Sequence, residues 1–463
     1  MTGSGDGSGG ACPSCGLEHR VDTDEVVVAR DARERLGEFL DAKRWRRLLL
    51  VEDANTADAL GDELAADLSA AGHLVEVQRF ADRHGLLADE HAVGAVRDAL
   101  ASARPDGVLA VGSGVVNDVT RYATFLDGAS YVSVPTAPSM DGYASSVAAM
   151  QFDGVKVTLP AQAPRGIFAD PVVLAAAPPE MIVWGFGDLI GKATARFDWV
   201  LGHGASGEPF CEAVEARVLV PLTRCVEDVG KLLAGDEDAI VALTTGLVES
   251  GVAMAMMGNS RPASGCEHHA SHFWDLLAFR GLREHAPHGL QVGYATRFAA
   301  ALQAAALQGL AEPMVLTPGA GGGDDERGWF GEQYLTLGPV RDEKQVWFAT
   351  YGESWPPEGA ALESLTDRLT AVTASFPAVQ GALDTAGIPS GAGFLGVDAA
   401  MLRATFRYAN RLRSRFTVLD LLESQERLEA LLDAVLRPSW ASRHGGRRGR
   451  RAPRARRGAR CSR

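Results

Sequence analysis

The chain has 463 residues, 46% of them hydrophobic and 22% charged, with a formal net charge of −14. That length allows two domains with separate cores, and the composition is that of a globular protein, which excludes disordered and fibrous classes. The acidic balance argues against nucleic acid as the main ligand, and six scattered cysteines exclude a disulfide framework and fit reduced thiols.

Residues 1–24 are expected as a disordered lead, because the Gly/Ser-rich Met1–Gly10 stretch lacks the apolar segment of a secretory signal. Within it, Cys12-Pro13-Ser14-Cys15-Gly16 has the spacing of half a zinc ribbon. No second CxxC follows, so two free thiols in an unstructured lead are expected. Residues 441–463 hold ten arginines and no acid. A solvated, disordered tail is expected there, with RNA or an acidic partner as the alternative. The most apolar helical stretch, 294–310, is interrupted by Arg297 and two glutamines, so no membrane span is expected and a cytoplasmic protein follows.

From residue 25 the pattern alternates. A short strand over 25–29 and a helix over 32–43 precede the apolar run Arg47–Val51, which leads through Asp53 into a helix ending near Gly72. Strands at 74–77 and 108–111 enclose a helix over 89–103. Alternation of this length predicts a parallel sheet covered on both faces. The strand at 108–111 runs into Gly112-Ser113-Gly114-Val115-Val116-Asn117-Asp118 and another helix, a turn whose backbone N–H groups would receive a phosphate. Its spacing is not GxGxxG, so a variant nucleotide site is expected. The strand 131–134 enters Pro135-Thr136-Ala137-Pro138-Ser139-Met140-Asp141-Gly142-Tyr143-Ala144-Ser145, and the two loops would share one crevice. Asp53 suits either a ribose contact or a helix N-cap.

Beyond about Pro171 helical patterns dominate: 186–201, 210–233, 237–257, a histidine helix from about Ser264, and 291–310. Gly319–Gly323 reads as a surface loop, since three acids follow at once. The histidine helix places His268 and His272 four residues apart on one face. With Asp188 of Gly185-Phe186-Gly187-Asp188 and with His288, it supplies a carboxylate and imidazoles that would hold a divalent metal with a position left open. The same spacing also describes an ordinary surface or core pair. The flanking glycines and small residues favour the site, because a backbone can approach a ligand there.

These blocks, together with Ser260-Arg261-Pro262-Ala263-Ser264-Gly265-Cys266-Glu267-His268-His269-Ala270-Ser271-His272, resemble the iron-containing alcohol dehydrogenase and dehydroquinate synthase-like superfamily. Within it they are most similar to the bacterial sn-glycerol-1-phosphate dehydrogenases. The resemblance implies an α/β fold: a Rossmann-like parallel-sheet nucleotide-binding domain over 25–170 and an all-helical metal and substrate domain over 171–440. It implies metal ligands at Asp188, His268 and His288, and dinucleotide contacts at Asp53, Gly114, Val115, Val116, Asn117, Asp118, Thr136, Ala137, Pro138, Ser139 and Ser145. It places Asp141, Asp188 and His272 at the substrate, with Asp188 and His272 as the catalytic pair. Arg261 is added as a phosphate ligand, with a salt bridge as the alternative. Cys266 stands where a smaller residue or a hydroxyl is expected.

The implied reaction is reversible reduction of dihydroxyacetone phosphate by NAD(H) or NADP(H) with one divalent metal (Zn, Ni or Fe), by a homo-oligomer with no nucleic-acid partner. The alternatives are a polyol dehydrogenase, a dehydroquinate synthase-like cyclase, and a non-catalytic nucleotide- or RNA-binding protein.

Overall fold

The computed structural model describes residues 11–83, 86–152, 155–319 and 321–436. Among them lie strands β1 (Glu25–Val28), β2 (Arg47–Asp53), β3 (Leu74–Phe80), β4 (Gly107–Val111), β5 (Tyr131–Val134), β6 (Val147–Phe152), β7 (Val155–Pro160) and β8 (Gly166–Ala169). Six form one parallel sheet in the order β1-β8-β5-β4-β2-β3.

Side-chain alternation builds the two sheet faces. Leu48, Leu50, Leu109 and Val111 pack with Leu36 and Leu40 of the helix Ala32–Lys43 and with Leu64 and Leu68 of Asp62–Ala70. Leu49, Val51, Val108 and Ala110 pack with Val93 and Val96 of Glu90–Ala103 and with Val116 and Val119 of Gly114–Asp127. From β2 the chain steps to β3 on one side and returns to β4 on the other. The direction of winding therefore switches between β2 and β4, and the carboxyl ends of these strands carry Asp53 and the Gly112-Ser113-Gly114 turn, where open α/β sheets bind ligands.

After β8 the described chain is helical. Helices Pro179–Ile190, Lys192–Ser206, Glu237–Met257, Cys266–Phe279 and His288–Ala306 share one large core that includes Phe186, Phe197, Trp199, Leu243, Phe273, Trp274, Tyr294 and Phe298. Among the described residues, the long helix apolar enough by length and composition to cross a membrane is Glu237–Met257, not 294–310, and most of it is buried inside this helical body.

One local expectation needs correction, and two stretches that the sequence left unassigned are placed by the structure. β6 and β7 form an antiparallel hairpin that the sequence reading passed over, although Asp153-Gly154 followed by the alternating run 155–159 is a hairpin signal. The segment 329–355, left unplaced by its pattern, is helical over Gly338–Tyr351 and in short turns before it. Residues 11–24 are not a loose lead: a turn closes at Cys12–Gly16, and Cys12 and Cys15 pack against the helical core. Composition missed this because the partner surface lies some two hundred residues away. The expectations for 1–10 and for the arginine-rich 441–463 fall outside the described residues.

Candidate metal and dinucleotide site

The candidate dinucleotide side is built at the ends of two neighbouring strands. Beyond β4, Ser113 is the N-cap residue of the helix Gly114–Asp127 and makes no side-chain cap bond, so the amides of the first turn are left for a ligand. The turn needs Gly112, because a β-carbon there would lie 2.6 Å from Cβ of Val116. Thr136, Ala137, Pro138 and Ser139 follow β5, the adjacent strand, and all four are buried. Asn117 is fully buried, and among the described residues neither its amide oxygen nor its nitrogen has a hydrogen-bond partner. An orphaned amide beside a helix N-terminus fits a polar, anionic group such as a dinucleotide.

Other residues of this set carry structural duties. Asp53 caps the turn after β2, its Oδ1 accepting from the amides of Asn55 at 2.8 Å and Thr56 at 2.9 Å. Asp118 pairs at 2.6 Å with the buried guanidinium of Arg121, which also donates to Tyr131 and to the Val147 carbonyl of β6. The Ser145 hydroxyl is bonded within its own turn to Val147.

On the helical side, Asp188, His268 and His288 present ligand atoms that all lie within 4.8 Å of one another. Asp188 comes from the end of Pro179–Ile190, His268 from the first turn of Cys266–Phe279, and His288 from the first residue of the next long helix. Nε2 of His268 is 3.5 Å from Oδ1 of Asp188. Its Nδ1 donates at 2.8 Å to Glu267, which also accepts from the Gly265 amide and from Thr194. A carboxylate behind an imidazole fixes the tautomer and leaves Nε2 with a free lone pair, as metal-ligating histidines require. Ser271 is hydrogen-bonded at 3.1 Å to Nδ1 of His288. One carboxylate and two oriented imidazoles fit a divalent cation.

Burial alone would raise the Asp188 carboxyl, yet the Lys192 ammonium and the His268 hydrogen bond hold it well below the ordinary carboxylate range. Lys192 was not singled out from the sequence, although it follows Asp188 by four residues. It is buried and lies 2.8 Å from both Asp188 and Asp141. Asp141 in turn donates its amide to Oδ2 of Asp188 at 3.0 Å and accepts from Ser250. The loop that follows β5 is thereby tied to the cluster. The His272 ring lies 5.9 Å from that of His288, on the same face.

The glycines around Asp188 have a different use from the one expected. A β-carbon at Gly185 would sit 1.7 Å from the Pro138 carbonyl oxygen, and one at Gly289 would sit 1.9 Å from the Trp184 carbonyl. They let helices and the β5 loop come into backbone contact; protein, rather than ligand, fills the space. Arg261 is also spoken for. Its guanidinium pairs with Glu208 at 2.8 Å and donates to the Phe416 carbonyl, so the salt-bridge alternative describes it. Cys266 is fully buried with its thiol pushed well above the ordinary range by burial and by Asp198, which makes it an inert packing residue.

A family model described as iron-containing alcohol dehydrogenase matches residues 27–178. Among solved structures, an iron-containing alcohol dehydrogenase from Thermococcus thioreducens superposes with a TM-score of 0.59 at 14% identity, covering 91% of this chain and 100% of that one. The alcohol dehydrogenase from Oenococcus oeni gives 0.57 at 13% identity, covering 87% and 97%. The fold is therefore of the iron-containing alcohol dehydrogenase class. Among curated proteins, the glycerol-1-phosphate dehydrogenase [NAD(P)+] of Halalkalibacterium halodurans is 40% identical over 291 residues, 62% of this chain and 73% of that protein. That of Geobacillus stearothermophilus is 37% identical, covering 61% and 71%. The chain belongs to the glycerol-1-phosphate dehydrogenase family.

Proposed function

We propose that this protein is an NAD(P)-linked glycerol-1-phosphate dehydrogenase that interconverts dihydroxyacetone phosphate and sn-glycerol 1-phosphate at the cluster Asp188, His268 and His288. The observation that carries the reading is the tie between Asp141 and Asp188, which joins the loop at the sheet's nucleotide end to the metal-ligating cluster. Its support is the names of relatives up to 40% identical.

Asp188, His268 and His288 would hold the cation, with the coenzyme along the Gly112–Asp118 turn and Thr136–Ser139. When bound, the cation supplies Lewis-acid polarisation of a carbonyl, and NAD(H) or NADP(H) supplies or accepts the hydride. Glu267 keeps His268 in the ligating tautomer. Lys192 offsets one of the two negative charges of Asp141 and Asp188, and the cation would offset the other, which favours an anionic substrate. His272, beside His288, holds and returns the proton that the alcohol oxygen exchanges, a task imidazole suits near neutrality.

Two guanidiniums missed by sequence reading support a phosphate-bearing substrate. Arg415 donates to the Ser264 carbonyl at 3.1 Å and to the Ser260 hydroxyl at 2.6 Å, in the loop that enters the histidine helix. Burial and the neighbouring charges of Arg261 and Arg413 push it down to about 9. Among the described residues, neither Arg413 nor Arg415 has a carboxylate at ion-pair distance, and a phosphate dianion would supply the missing charge. In the sequence they stand two apart in Arg411-Leu412-Arg413-Ser414-Arg415, which was not read as a site.

The test is NAD(P)H oxidation by metal-reconstituted protein with dihydroxyacetone phosphate and unphosphorylated dihydroxyacetone side by side. Turnover confined to the phosphate ester supports the proposal. Turnover of the free ketone alone would make this a polyol dehydrogenase, and no oxidation of either by metal-loaded protein would overturn the assignment. A homo-oligomer is part of the proposal, and light scattering of the purified protein tests it.

A further inference from the structure

A second cluster of metal-ligating side chains shares no residue with the first. Cys12, Cys15, His19 and Cys211 bring one ligand atom each to a common point, all four within 4.8 Å of one another. Sγ of Cys12 is 3.8 Å from Sγ of Cys211, and Sγ of Cys15 is 3.3 Å from Nε2 of His19. Tetrahedral zinc, with Zn–S of about 2.3 Å and Zn–N of about 2.0 Å, places sulfurs about 3.8 Å apart and sulfur and nitrogen about 3.5 Å apart. The observed spacings match that geometry, and all three cysteines are free thiols.

The chain prepares the site locally. The Gly16 amide donates to the Cys12 carbonyl and the Cys12 amide to the Leu17 carbonyl, each at 2.7 Å, so the Cys-Pro-Ser-Cys turn presents both sulfurs together. Gly16 sits at φ 74, where a side chain would be strained. His19 donates from Nδ1 to the Met256 carbonyl at 2.8 Å. A carbonyl only accepts, so Nδ1 carries the proton and Nε2 is left with its lone pair toward the sulfurs. Cys211, fully buried, is the N-cap of the helix Glu212–Glu227.

We propose that Cys12, Cys15, His19 and Cys211 form a closed, structural zinc site that clips the N-terminal segment to the helical body. Three soft thiolates and one imidazole select zinc over the hard cations, and four protein ligands leave no position for substrate. Binding releases the three thiol protons to solvent and oxidises nothing. The clip joins residues 11–24 to the start of Glu212–Glu227 and, through Met256, to the end of Glu237–Met257, just ahead of the loop that enters the histidine helix. It does not depend on the proposed activity.

The experiment loads the full-length protein with cobalt(II) in place of its native metals. A thiolate-to-cobalt charge-transfer band reports this cluster, since Asp188, His268 and His288 contribute no sulfur. The band is expected in wild type and in Asp188→Asn, and is expected to vanish in Cys12→Ser/Cys15→Ser. In zinc-loaded protein, metal analysis should give two ions per chain in wild type and one in each variant. As a check independent of the folding of the double serine variant, thiol modification of wild type with a mercurial should also release one zinc per chain. A folded, cobalt-loaded wild type without the band, a band that survives the double variant, or a Cys12–Cys211 disulfide in protein purified anaerobically would each overturn the proposal.

Discussion

At the residue scale the catalytic reading rests on how Asp188, His268, His288 and their neighbours are held. Asp188→Asn removes the one anionic ligand, and the variant is expected to lose bound metal together with at least about a thousandfold of kcat/KM. Metal analysis beside the kinetics checks this, and a metal-free variant at full rate would sink the role. Glu267→Gln weakens the orientation of His268 and should cost about 10–100-fold in metal affinity, read by competition with a chelator. His272→Asn should retain metal and lose about a hundredfold or more in kcat; unchanged turnover would remove it from proton transfer. Arg413→Ala separates substrate binding from chemistry. Its KM for dihydroxyacetone phosphate should rise about tenfold or more while the slow reaction of the free ketone is unaltered, the pattern of a lost charge-assisted contact.

The elements depend on close backbone approach. The helix Pro179–Ile190 lies against the loop after β5 at Gly185 and against His288–Ala306 at Gly289, with no room for a methyl group at either point. Gly185→Ala should therefore destabilise by about 1–3 kcal/mol, seen as a lower midpoint in chemical denaturation. Gly37→Ala, where nothing lies within 4 Å, serves as the control and should be neutral or slightly stabilising. A stable Gly185→Ala protein with its metal site intact would mean that the helix and loop can move apart. These contacts were not legible in the sequence. Gly185, Gly187 and Gly289 were visible, but what each approaches is set by how a helix packs on a loop and on another helix far away in the chain. The β6–β7 hairpin, by contrast, was legible in the Asp-Gly dipeptide and the alternation of 155–159, and was overlooked.

Over the whole molecule, buried charge links stability to pH. Asp198 sits between the start of the histidine helix and the C-terminal helices, accepting from the amides of Cys266 and Val418 at 2.7 and 2.8 Å. Burial and the adjacent Glu267 nevertheless raise its carboxyl to about 7. A carboxyl raised on folding binds its proton more tightly in the native state, so this contribution is present below the unfolded value near 3.8 and is lost as pH rises toward about 7. Asp188 and Glu267 are shifted downward, and their contribution is lost only on acidification below the ordinary carboxylate range. Denaturation midpoints between pH 5 and pH 8 should fall less steeply in Asp198→Asn than in wild type. Equal slopes would show that Asp198 stays ionised throughout.

The sequence by itself determined the parallel sheet, through apolar runs alternating with helix-length segments, and the glycine turn after β4, because both are local patterns of side-chain period and glycine placement. It also marked Asp188, His268, His272 and His288, since an i,i+4 histidine pair and an isolated acid beside glycines can be read along one strand of text. Tertiary structure alone decided which partners meet. It paired Arg261 with Glu208, set Lys192 between Asp141 and Asp188, and brought Cys211 to Cys12, Cys15 and His19. Periodicity says which face of an element is apolar. The ion pairs and ligand sets are fixed only when those faces pack, because they depend on distances between residues far apart in the chain.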